Sequence, residues 1–269
     1  MNGLLRDTIV ELFDRKVIWV YLVITLIALI FLVFSANVKF NMGEIGQSDS
    51  VELKDLGFDL ASWLLQFISS FYFFLTFITV LLTAGIIPNM FIKGRADFYL
   101  SKPISRGALI IKKFISVLVV YGSLILSTGL LVYITGILIH GGFSTHIFTL
   151  MLFTLGSYFI WLSISFFFGL FFGKSVGTIV SIGIVWFCQY LLSIYYTNKE
   201  IAGLIDAEIT KKILNTLYYI FPKTGDFIDY GDALVSGTVP DNFFVVYSTL
   251  LFALFILFLS VTYFKKKNY

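Results

Sequence analysis

Long runs free of Asp, Glu, Lys, Arg and His alternate with short polar segments along most of this chain. Six such runs, at residues 17–34, 61–87, 114–139, 147–172, 176–196 and 243–264, reach the length that a helix rising about 1.5 Å per residue needs to cross about 30 Å of hydrocarbon. They are continuously apolar, unlike barrel strands, which alternate between a lipid face and a lumen face. The pattern predicts six transmembrane helices in a single domain over residues 1–269. The first run follows Arg15 and Lys16 as the apolar part of a signal peptide would. Its 18 residues exceed the usual length of such a region, and "FSANVKF" has no clear small-x-small cleavage pattern, so it is read as a retained span.

Helical periodicity also marks two segments outside the runs. Ahead of the first span, Leu4, Leu5, Ile9, Leu12 and Phe13 fall on one face and Arg6, Asp7, Glu11, Asp14 and Arg15 on the other, the signature of an interfacial helix. In the outer segment 197–242, Ile201, Leu204, Ile205, Ile209, Ile213, Leu217 and Ile220 recur opposite Lys211, Lys212 and Asn215. This predicts an amphipathic helix that lies on the outer interface or caps the bundle. Pro222 is expected to end it, and "KTGDFIDYGD" reads as a turn-rich return to the membrane. The fold class is therefore an all-α integral membrane protein, with a six-transmembrane-helix bundle, an N-terminal interfacial helix and an outer amphipathic helix before the sixth span.

Composition agrees: 58% of residues are hydrophobic, 13% are charged and mean hydropathy is +0.93, whereas a soluble domain carries about a quarter charged. With the N-terminus inside, 13 of the 19 Lys and Arg residues lie on the inner side and 6 on the outer, as the positive-inside rule requires. Both termini of this cell-membrane protein are then expected in the cytoplasm. The net charge of +3 reads as a basic rim beside anionic lipid, with no call for nucleic acid.

Several chemistries find no support. The "GKS" at Gly173 to Ser175 lacks the glycine that a phosphate loop needs at position 168, where Phe168 stands. Gly169 and Gly173 are instead expected to allow close helix packing. The single Cys188 excludes an intrachain disulfide or a thiolate cage. His140 and His146 flank a short outer turn without an acid or thiol beside them, and the five acids of residues 35–60 match no calcium loop. No metal, cofactor or catalytic residue is assigned, and the chain is read as non-enzymatic. The runs hold no ionisable group for a coupling ion. Their mild polar residues, among them Ser69, Ser123, Ser127, Ser157, Ser163, Thr178, Ser181 and Gln189, are expected to bond between helices.

The densest cationic stretch, "KGRADFYLSKPISRGALIIKKF", connects the second and third runs with six basic residues and one acid. Within it, "GRADFYLSKPISRGALIIKKFI" resembles the corresponding loop of the permease subunits of ABC-2 type transporters. The leading "ELFDRKVIW", the later "LNTLYYIFP" and the layout of spans are similar to that family as well. Relatives often carry acids where this chain has Ala96 and Gly107 or Ala108. Physically, Ser105 can cap the following helix and Pro103 separates two short helices. The resemblance implies a cytoplasmic coupling loop or helix at 93–106 that docks on a separate ATP-binding subunit. Its candidate docking residues are Lys93, Arg95, Asp97, Phe98, Tyr99, Leu100, Ser101, Lys102, Pro103, Ile104 and Arg106; apolar anchors ringed by charge suit such a surface. It further implies two ATPase subunits and a second permease chain, identical or homologous, meeting through the first and fifth spans, with Gln189 as a possible dimer or pathway residue. ATP would be bound by the partner, and the expected role is that of an exporter subunit. The residues alone also admit a stand-alone channel or secondary carrier, or a membrane scaffold. Substrate is not encoded in any recognisable motif.

Overall fold

The computed structural model describes residues 2–14, 16–45, 60–90, 105–140, 147–197, 208–235 and 243–266. Apart from short turns between elements, these residues are helical, with no strand among them. In chain order the helices are α1 (Asn2–Asp14), α2 (Val17–Ile45), α3 (Leu60–Thr83), α4 (Ile86–Met90), α5 (Arg106–His140), α6 (Ile147–Phe172), α7 (Ser175–Thr197), α8 (Glu208–Ile220), α9 (Thr224–Val235) and α10 (Phe244–Lys266). Five helical segments are long and apolar enough to cross a membrane: Ser69–Met90, Arg106–Leu138, Ile147–Phe172, Ser175–Tyr196 and Phe244–Lys266. α2 adds a shorter apolar segment, Val17–Phe31.

α6 is the axis of the bundle. It is apolar all round, and such a helix is stable where neighbours surround it; α3, α4, α5, α7, α9 and α10 pack against it. Tyr158, Ile160, Leu162 and Ser163 are fully buried along its length. Phe114 of α5 meets Phe159 and Phe166 of α6 edge-on, with ring centroids at 5.6 and 5.0 Å, the arrangement that sets a ring's positive edge on its neighbour's face. A hydroxyl cluster crosses the core beside it. Tyr21 of α2 bonds Thr79 of α3, and Thr25 of α2 lies 3.4 Å from Thr128 of α5.

The helix boundaries follow local chemistry. α3 stops at Thr83, and Gly85 and Pro88 set off the single turn α4, where Pro88 falls in a first turn whose N–H groups have no partner within the helix in any case. Ser105 caps α5 by accepting the Ala108 N–H at 3.3 Å. α5 then runs for 35 residues, about 52 Å at about 1.5 Å per residue, so it starts well before the apolar run does. Between α6 and α7, Gly173 adopts φ +63°, and a Cβ there would meet nothing within 4 Å. It makes the turn, contrary to the expected packing role. Gly169 does serve close packing: a Cβ would come within 3.1 Å of Ile87 Cβ and 3.2 Å of Pro88 Cδ.

Residues 224–235 correct the sequence reading: they form a helix, α9, where a turn-rich return was expected. Gly231 is required by contact, since a Cβ would lie 2.7 Å from Phe153 Cγ of α6. Phe153 also meets Phe227 and Tyr230 of α9, at centroid distances of 5.0 and 6.0 Å. The expectation of bonds between spans is corrected as well. Ser123, Ser127, Ser163, Thr178 and Ser181 donate to carbonyls three or four residues back in their own helices, which satisfies the hydroxyl without a neighbour. Ser69 and Gln189 do bond across, both to α9.

Candidate functional site

Two polar arrangements stand out, one at each end of the bundle. The first lies where α1, the start of α2 and the start of α5 come together. Lys113, two turns into α5, is 1% exposed. Its Nζ donates to Asp7 Oδ2 at 3.0 Å and Thr8 Oγ1 at 3.1 Å, and lies 3.5 Å from Glu11 Oε2. A buried ammonium requires counter-charge, and residues 7 and 11 of one helix, one turn apart, present two carboxylates to it. Thr8 completes the contact by donating onward to the Leu4 carbonyl at 2.9 Å.

This arrangement corrects the expected faces of α1. Leu4, Thr8 and Leu12 form the buried stripe, Asp7 and Glu11 flank it, and Ile9, Val10 and Phe13 point outward. The sequence reading had placed Ile9 and Phe13 on one apolar face with Leu4 and Leu12, and Asp7 and Glu11 on the opposite face. A tight turn, with Lys16 at φ 56° and its N–H bonded to the Phe13 carbonyl at 3.0 Å, joins α1 to α2. Of the candidate docking residues, Arg106 is the first residue of α5. Lys93, Arg95, Asp97, Phe98, Tyr99, Leu100, Ser101, Lys102, Pro103 and Ile104 lie outside the described residues.

The second arrangement is a cavity of about 300 Å³ at the opposite end, enclosed by α3, α7, α8 and α9. Tyr218 of α8 stacks on Tyr196 of α7 with centroids 3.9 Å apart, and its hydroxyl donates to Asp226 Oδ2 at 2.8 Å. Ser193 of α7 donates to Asp226 Oδ1 at 2.9 Å. Gln189, which sequence reasoning singled out, is buried in this wall within one chain, and its Oε1 accepts from Thr224 Oγ1 at 2.5 Å. The charged groups of the site belong to α9 and its lead-in residue Lys223, which the turn reading had hidden. Lys223 turns its ammonium toward Ser248 Oγ at 3.3 Å and over the rings of Tyr218 and Phe244, at 4.8 and 5.0 Å. Burial lowers its pKa, with Asp226 acting in the opposite sense. Asp229 is held above the ordinary carboxylate range by burial and then by Asp226 and Asp232. Burial also raises Asp232, against the opposing bond from Ser69 Oγ at 2.6 Å.

Among the described residues no cluster of three or more His, Cys, Asp or Glu is placed to hold a metal. His140 ends α5 and His146 lies outside the described residues. α8 keeps Tyr218 inward while Ile209, Ile213 and Ile220 face outward, so its apolar side is free to meet lipid. The sequence reading of α8 rested in part on Ile201, Leu204 and Ile205, which lie outside the described residues.

Five membrane-length helices, four of them packed around the buried α6, without a sheet among the described residues, define an all-α, multi-pass integral membrane protein. The chain belongs to the family described as a protein of unknown function, DUF2705, which it matches over residues 53–269. Comparison with curated proteins and with solved structures returned no match.

Proposed function

We propose that this chain is the membrane-spanning permease subunit of an ATP-driven transporter of the ABC-2 type, working as an exporter, with ATP bound and hydrolysed by separate subunits. The observation that carries the reading is the Lys113 clasp. It ties the amphipathic α1 to the first turns of α5, the helix that leads directly out of the basic segment 93–106. A push on that segment is then delivered to two elements locked together by charge, and through α5 to α6 at the core.

In this reading α2 is a further span, giving six, and the end of the bundle that carries α1 and Lys113 faces the cytoplasm. The basic majority on that side supports the orientation. Residues 93–106 dock on the ATPase, with Phe98, Tyr99, Leu100 and Ile104 as anchors and Lys93, Arg95, Lys102 and Arg106 as the charged surround. α8 rests on the outer interface. Two chains pair through α2 and α7, whose outward faces include Trp19, Leu22 and Leu26 on α2 and Val180, Ile184 and Phe187 on α7, all exposed in the single chain.

The test is gentle solubilisation of the tagged chain, identification of co-eluting subunits, and reconstitution with and without ATP. Recovery of a P-loop ATPase and nucleotide-dependent transport support the proposal. Transport by this chain alone, without nucleotide, supports a channel or carrier instead.

A further inference from the structure

α3 and α7 both lean on α6 but make no extensive contact with each other, which leaves a cleft between them. At the end near α8 and α9 the cleft widens into the polar cavity. In the other direction it narrows to a shallow, mainly apolar slot of about 20 Å³ between Thr76, Phe77 and Val80 of α3 and Ile182 of α7, floored by Trp161 and Ser157 of α6, so a chain can lie along its rim but not within it. Phe73 and Trp186 border both parts, which places the two side by side along the cleft. Phe77 and Trp186 meet across the slot with ring centroids at 6.4 Å. The outward sides of Phe73, Phe77 and Trp186 are exposed, and the cleft therefore opens sideways, where hydrocarbon surrounds a membrane protein.

The polar groups of the cavity satisfy one another only in part. Gln189 is 7% exposed, and its Nε2 has no hydrogen-bond partner among the described residues. Turning the amide end for end only exchanges an orphan donor for an orphan acceptor. Asp226 is engaged by Ser193 and Tyr218, while Asp229, an exposed residue at the cavity mouth, has its carboxylate bonded to no other described residue. Lys223 is turned toward α10 and the aromatic rings. The lining thus holds two carboxylates against one ammonium, which lies over the Tyr218 ring and bonds no carboxylate among the described residues. Burial and like charge raise the Asp229 carboxyl, as expected of an acid without its cation.

An orphan amide donor calls for an acceptor, an unpaired carboxylate calls for a cationic donor, and the slot calls for hydrocarbon. We propose that the α3–α7 cleft binds a membrane amphiphile whose headgroup pairs a primary ammonium with a phosphate oxyanion. The ammonium sits at Asp229 and Asp226, the oxyanion accepts from Gln189, and an acyl chain lies along Phe73, Phe77 and Trp186. The claim stands apart from how transport is powered, because it is measured on this chain alone without nucleotide.

The probe is phosphatidylethanolamine with dibrominated acyl chains, which quench tryptophan on contact. A chain keeping only Trp186 (Trp19→Phe, Trp63→Phe, Trp161→Phe) is reconstituted in phosphatidylglycerol vesicles doped with equal fractions of brominated phosphatidylethanolamine, phosphatidylcholine or phosphatidylglycerol. Phosphatidylethanolamine is expected to associate at Trp186 about tenfold more strongly than phosphatidylglycerol, the factor carried by one charge-assisted hydrogen bond. Phosphatidylcholine, whose nitrogen cannot donate, is expected to show no such excess. Asp229→Asn and Gln189→Leu should each reduce the preference, while a chain keeping only Trp19, on the exposed face of α2, should not discriminate among the lipids. If the three-fold Trp replacement fails to fold, the unmodified chain minus its Trp186→Phe variant gives the same reading. Equal quenching by phosphatidylethanolamine and phosphatidylglycerol at Trp186, an equal effect of phosphatidylcholine, or an excess untouched by Asp229→Asn would each overturn the proposal.

Discussion

Neutralising the two acids of the clasp should be worse for the protein than deleting its lysine. Asp7→Asn with Glu11→Gln keeps the shape of α1 but strands the Lys113 ammonium, 1% exposed, among neutral groups. Stranding a buried charge costs about 3–5 kcal/mol. Because Asp7 is 43% exposed, solvent already screens its share, which places the expected loss near the lower end, about 3 kcal/mol. Lys113→Met fills the same space with an apolar chain. Asp7 then returns to water and only Glu11, 14% exposed, stays partly desolvated, for a loss of about 1–2 kcal/mol. The triple variant removes every charge and should recover to within about 1 kcal/mol of the parent, the non-additivity expected of groups that act on one another. The assay is thiol labelling of Leu12→Cys, buried beneath α1, in a Cys188→Ala chain reconstituted in vesicles. Where reclosing outpaces labelling, the rate tracks the opening equilibrium, so about 3 kcal/mol appears as a rise of about a hundredfold. A paired-acid variant labelling within about twofold of its parent, or a triple variant no slower than the double, would refute the clasp, since at about 1.4 kcal/mol per decade neither result leaves room for a stranded charge.

Three further predictions concern the other end of the bundle and the topology. Gly231→Ala should drive α9 off Phe153 and lower the thermal midpoint, a cost of about 1–3 kcal/mol, whereas Gly225→Ala, with nothing within 4 Å of its Cβ position, should be neutral or slightly stabilising; equal effects would contradict the contact. The raised pKa of Asp229 exceeds its unfolded value of 3.8, so its contribution to stability is fully present below that value and is lost as pH rises through the raised one. Asp229→Asn in detergent should therefore raise the midpoint at pH 7 and lose that advantage near pH 4; a larger gain at pH 4 would reverse the sign and sink the argument. Cysteines at Ser48 and Ser236 should react with an impermeant reagent from outside intact cells and one at Ser101 should not, and labelling at Ser101 would invert the proposed orientation.

Five of the six apolar runs announced helices long enough to cross a membrane, and the first fell short at Val17–Phe31; such runs are legible because a membrane helix must satisfy its own backbone and show lipid a continuous apolar surface. The run 147–172 coincides with α6, which Gly173 terminates at positive φ. What stayed hidden was held by partners distant in sequence. Asp7 and Glu11 look like a solvated face until Lys113, a hundred residues on, is packed against them. Gly225, Gly231 and the three acids of α9 look like loop chemistry, yet Gly231 is small because Phe153 occupies the space beside it. Gln189 was visible as a polar residue within a span, but the groups that give it meaning, Thr224, Asp226 and Asp229, sit on the helix that those same glycines concealed.

The claim on which the account most depends is that the basic segment between α4 and α5 docks an ATPase. The direct measurement is the amount of ATP-binding subunit recovered with equal amounts of tagged chain bearing Lys102→Glu with Arg106→Glu, or Phe98→Ala. Charge reversal should weaken docking, and loss of the aromatic anchor should cost about 2 kcal/mol, a typical hot-spot value. Both variants leave the apolar spans intact and should accumulate normally while losing the ATPase and ATP-driven transport together. Normal recovery of the ATPase and normal transport in both variants would contradict the account and leave residues 93–106 as a basic rim on the membrane surface.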